Sequence, residues 1–73
     1  MLNPNAIVIA SLQSQKTFLA TVRMRQLMWA DRADDRELIA FHLELADLLL
    51  RMINRYDRLL EKYHLPPDVE TAE

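Results

Sequence analysis

The sequence predicts an all-α fold: an antiparallel two-helix hairpin that dimerises into a four-helix bundle. Three observations lead there. Glycine is absent and the three prolines sit at positions 4, 66 and 67, so the interior from Asn5 to Leu65 holds no helix breaker. Two long stretches with apolar residues at helical spacing are divided by one short, acid-rich polar segment. The second stretch carries more apolar circumference than a single neighbouring helix can cover.

The first helix is expected over about residues 4–29. Asn3 suits the N-cap, and Pro4 the first helical position, where its missing N–H costs nothing. At 100° per residue Ile7, Val8, Leu12, Phe18, Leu19, Val22 and Trp29 share one side. Within it Val8, Leu12, Gln15, Leu19, Val22, Gln26 and Trp29 follow a 4-3 spacing, with glutamines weakening two seam positions. Ile9, Met24, Leu27 and Met28 lie outside this side.

Ala30 to Asp35 forms the polar break, with the connector proper expected at 30–34. Asp34 followed by Glu37 fits an N-cap and capping-box pair, and Asp31 with Asp34 is a competing register. Acids here also suit the positive end of the next helix. The alternative to a turn is one continuous helix from 4 to 64.

The second helix is expected over about residues 35–64, ending before Leu65-Pro66-Pro67. Leu38, His42, Leu45, Leu49, Met52, Tyr56, Leu59 and Tyr63 are spaced 4-3-4-3-4-3-4, the period of left-handed supercoiled packing. Phe41 and Leu48 flank that seam on one side, Ile39, Ala46, Ile53 and Leu60 on the other, and Leu43 and Leu50 widen it further. A helix with one neighbour needs an apolar stripe of about 100° or slightly more. This one has roughly twice that, so a second surface is expected to pack on it, most simply another copy of the chain. Residues 1–65 thus read as one helical unit and 66–73 as an acidic flexible tail.

Composition excludes several classes. At 73 residues the chain is one domain at most, near the lower limit for an independent core, and without cysteine it has neither disulfides nor thiolate metal sites. Residues 1–30 carry Lys16, Arg23 and Arg25 and no acid; residues 31–73 carry 11 acids against 6 bases, for a total of −2. A weakly acidic total argues against a general nucleic-acid binder, while the asymmetry favours attraction between the halves. The apolar patch Ala6–Ala10 is too short for a membrane span and lacks a preceding basic region, so the cytoplasm is the expected location.

Candidate chemistry is sparse. Asp57, Glu61 and His64 fall on a narrow arc, with a Glu-x-x-His spacing known from di-metal bundles. The first helix offers no carboxylate to complete such a site, so a solvated helix end is the expectation. His42, among the seam leucines, is expected to bond a neighbour and fix register. No nucleophile–base pair or phosphate loop is present, so neither enzymatic activity nor a cofactor is expected.

The hairpin architecture resembles that of the Rop-type plasmid copy-control proteins, helical-hairpin dimers that bind paired RNA loops, and His42, Ala46-Asp47-Leu48, Arg51 and Arg55-Tyr56 have a similar flavour. That resemblance implies RNA as an alternative partner, for which Lys16, Arg23 and Arg25 are the bases available on the first helix. Arg36 and His42, six apart, resemble the Arg–His signature of HEPN ribonucleases without its polar companion. Trp29-Ala30-Asp31 resembles the turn of the small Trp-x-Gly hairpins, with Asp31 in the glycine's place. The main expectation is a protein-binding regulator: an adaptor, chaperone-like factor or inhibitor, working as a homodimer. Ile9, Met24, Leu27, Met28 and Trp29 are its candidate partner-binding patch, because methionine and tryptophan suit adaptable and anchoring contacts. The same patch is also a candidate dimer interface.

Overall fold

A computed structural model of the chain describes residues 4–64 as two α-helices, α1 (Pro4–Arg32) and α2 (Arg36–His64). The expected Asn3 cap and the 66–73 tail lie outside the described residues. The two helices run antiparallel along their whole lengths as an all-α hairpin. Pro4 opens α1 as expected. Thr17 and Thr21, poor helix formers, are accommodated because their hydroxyls donate to the carbonyls of Gln13 and Thr17 one turn back, at 2.9 and 3.1 Å.

The turn is tighter than the sequence suggested and lies further along. α1 continues through Ala30, Asp31 and Arg32, and the Ala33 N–H still donates to the Trp29 carbonyl at 2.9 Å. Nothing in Ala30-Asp31-Arg32 opposes a helix, and Arg32 suits the negative end of the dipole. Only Ala33, Asp34 and Asp35 are non-helical. The N-cap of α2 is Asp35, not Asp34 or Asp31. Its carbonyl accepts the Ile39 N–H at 2.9 Å, and its Oδ1 accepts the Glu37 N–H at 3.3 Å. With Asp35 as cap the third helical position is Leu38, so no capping box forms. No described residue has positive φ, so the chain reverses without the left-handed conformation that glycine supplies elsewhere.

The helices meet along a seam with alternating three- and four-residue spacing. From α1 it takes Ile9, Leu12, Lys16, Leu19, Arg23, Gln26 and Ala30; from α2 it takes Ile39, His42, Ala46, Leu49, Ile53, Tyr56, Leu60 and Tyr63. All are buried or half-buried. The most enclosed are Ala46 (3% exposed), Ala30, Gln26, Leu60 and Ile53. The expected α2 seam shares His42, Leu49, Tyr56 and Tyr63 with this one. Its other members, Leu38, Leu45, Met52 and Leu59, form the next stripe round the helix, where Leu45 is half-buried and the other three are exposed. The small side chains account for the choice: Ala30 and Ala46 let the backbones approach closely, and the bulkier stripe is left facing outward.

Three polar contacts fix the register across the seam. His42 Nδ1–H donates to Gln26 Oε1 at 2.7 Å, the Tyr56 hydroxyl donates to Gln15 Oε1 at 2.8 Å, and Lys16 pairs with Asp57. The glutamines that weaken the α1 pattern are thus the partners of the polar residues of α2. The half-exposed Lys16–Asp57 pair adds little energy, whereas burial of Gln26 makes its bond matter. The hairpin is a flat layer with a shortest dimension of 11 Å, about one helix thick. Among the described residues, Ile53 and Leu60 are the only large apolar side chains buried, against thirteen that are exposed. No described helix is long and apolar enough to cross a membrane.

Candidate interaction surfaces

A layer one helix thick has two broad faces, and the cross-helix contacts say which residues share each. The first face carries the Tyr56–Gln15 bond and a shallow groove between the helices lined by Leu12, Gln15, Met52, Arg55, Tyr56 and Leu59. The second carries the Lys16–Asp57 pair and a polar groove lined by Gln13, Lys16, Thr17, Ala20 and Leu60.

The first face is apolar along its length. On α2 it presents Leu38 (44% exposed), Phe41 (56%), Leu48 (50%), Met52 and Leu59, with half-buried Leu45 between them. These follow a second 3-4 ladder, 38-41-45-48-52-55-59, interrupted only by Arg55. α1 adds Val8, Phe18 and Trp29. Near the turn Trp29 and Phe41 flank His42, with ring centroids 5.5 and 5.6 Å from the imidazole, both pairs inclined rather than stacked. His42 therefore joins the seam bond to the aromatic end of this face.

Charge lines the α2 edge of the same face and changes sign along it. Glu37 and Glu44 lie toward the turn; Arg55, Arg58 and Lys62 lie toward the open end, where with Leu59 they line a groove. Phe41, Glu44, Leu45 and Leu48 line a corresponding groove nearer the turn. Arg51 is held locally by Asp47 at 2.9 Å. This order of acids before bases was not singled out from the sequence. The signal was present in the i, i+3, i+4 and i+7 spacing.

The second face is polar at its open end and apolar toward the turn, where Met24, Leu43 and Leu50 are exposed beside half-buried Leu27, with Met28 at the α1 edge. The five residues expected to form one patch are thereby divided. Met24, Leu27 and Met28 remain neighbours. Trp29 stands about 140° round the helix from Met24 and belongs to the first face. Ile9 is half-buried in the seam toward the open end.

The candidate RNA-contacting bases do not form a cluster. Lys16 is engaged with Asp57, Arg23 is half-buried in the seam with Nε enclosed and without a hydrogen-bond partner, and Arg25 is exposed on the outer edge of α1. Asp57 is turned to Lys16 rather than toward Glu61, and the imidazole of His64 lies outside the described residues. Among the described residues no three His, Cys, Asp or Glu side chains come together to hold a metal ion. No protein-family model, curated protein or solved structure matches the chain.

Proposed function

We propose that this chain is a non-enzymatic helical interaction module, a small cytoplasmic regulator that works as a homodimer and binds another protein. The observation that carries this reading is the exposure of apolar surface on both sides of a layer one helix thick. A second copy laid on the long apolar face makes a four-helix bundle. The second face then stays outward, with Met24, Leu27, Leu43 and Leu50 as an adaptable apolar patch for a larger protein. Of the three bases named for the RNA alternative, Lys16, Arg23 and Arg25, Arg25 alone is exposed and outward-facing.

Charged substitutions on the two faces test this division. Met24→Glu and Leu50→Glu should leave the helical circular dichroism, thermal transition and sedimenting mass unchanged while abolishing capture of the bound protein from the native host. Leu48→Glu on the other face should lower the sedimenting mass. Unfolding or dissociation by Met24→Glu and Leu50→Glu alike would make the second-face patch structural and remove the partner assignment.

A further inference from the structure

Resting on the homodimer in that reading, we infer that the first face is covered by a second copy with α2 lying antiparallel on α2, in a register set by Glu37 opposite Lys62 and Glu44 opposite Arg55 of the second copy.

The apolar ladder and the charged edge of α2 lead to the same arrangement independently. The ladder from Leu38 to Leu59 has its midpoint at Leu48 and Leu49. A two-fold axis there, perpendicular to the helices, sets Leu38 near Leu59 of the second copy and Leu45 near Met52, closing each apolar step on another. The charged edge has its own centre. Glu37 and Lys62 lie equally far from it, as do Glu44 and Arg55, and it falls within one residue of the apolar midpoint. Both acids and both bases are exposed and make no side-chain ion pair among the described residues of their own chain. A parallel α2 pairing would set like charges side by side. An arrangement with the axis along the helices would lay α2 on α1 of the second copy, with the Arg55, Arg58 and Lys62 edge beside the acid-free half of α1.

Arg55, the one charged member of the ladder, finds a place in this register. It reaches the edge where Glu44 of the second copy stands, and its stem crosses the ring of that copy's Phe41. The groove lined by Arg55, Arg58, Leu59 and Lys62 receives the Glu37–Leu38–Phe41 ridge. The size is appropriate. Two 29-residue helices side by side present a face of about 43 by 20 Å, roughly 850 Å² per copy, close to the ~800 Å² that each partner contributes to a standard stable interface.

The native chain has no cysteine, so single cysteines report the arrangement directly. Leu48→Cys, mildly oxidised, should run as a covalent dimer with the helical signal of the reduced protein. A mixture of Leu45→Cys and Met52→Cys chains should cross-link to one another in preference to themselves. Glu44→Arg and Arg55→Glu should each weaken the dimer on the order of tenfold in sedimentation, and the chain carrying both should recover most of the loss. A dimer in which Leu48→Cys fails to self-link but links to Val22→Cys overturns the antiparallel α2 pairing and leaves self-association standing. A chain that stays monomeric at every concentration overturns this inference together with the homodimer it rests on.

Discussion

Replacing His42 with leucine strands a buried group, and the size of the effect follows from the geometry. Gln26 is only 7% exposed, and its Oε1 accepts the His42 Nδ1–H at 2.7 Å. A neutral hydrogen bond contributes about 1 kcal/mol net, but a buried polar atom left without a partner costs about 1–3 kcal/mol. His42 is half-buried, so in Gln26→Leu its imidazole still reaches water. The single changes are therefore unequal: about 2 kcal/mol for His42→Leu and about 1 kcal/mol for Gln26→Leu. The double variant sets two apolar side chains together on the seam and recovers most of the summed loss, a coupling of about 2 kcal/mol. Urea unfolding followed by circular dichroism measures this, at one fixed chain concentration because the stability of an associating chain varies with concentration. Additive single effects, with the double variant the least stable of all, would refute the account of this bond as the clamp of the hairpin.

Ile53→Ala should be among the costliest seam changes, about 2–4 kcal/mol by urea unfolding, since Ile53 is one of two large apolar side chains that the hairpin buries. A loss below 1 kcal/mol would place the packing elsewhere. Asp35→Ala removes the cap of α2 and should cost about 0.5–2 kcal/mol, with faster amide exchange at Glu37 than in the unaltered protein. Asp34→Ala should cost less, and the reverse order would return the cap to Asp34. Arg23→Met should raise stability by about 1 kcal/mol because it deletes an enclosed Nε with no partner and keeps an apolar stem. A loss of stability on that change would show that the guanidinium is satisfied.

The helices, their order and the site of the reversal were legible because each has a local cause: Pro4 at a start, unbroken helix formers within, and acids clustered at one break. The exact turn was less legible, because Ala30-Asp31-Arg32 suits a helix as well as a connector and three neighbouring aspartates compete for one cap. The seam was legible as a period and not as a direction. In α2 the 38-45-52-59, 42-49-56-63 and 39-46-53-60 stripes are all apolar or aromatic apart from His42, so spacing alone selects none of them for the hairpin mate. Two features of the sequence could have chosen: Ala30 and Ala46 as the points of close approach, and the level pairing of Gln26 with His42 and Gln15 with Tyr56. The same ambiguity divided the expected patch, because Trp29 and Met24 are close in sequence yet separated by the seam.

The reversal at Ala33-Asp34-Asp35 has a mechanical consequence. A glycine there would hold the bend by a backbone shape other residues resist, and none is present. Each of the three linking residues can adopt helical geometry, so the chain stays folded back only while contacts between the two arms outweigh straightening. Weakening those contacts should convert the bent form into a rod of about 60 residues, some 90 Å long, whose arms clasp those of other rods.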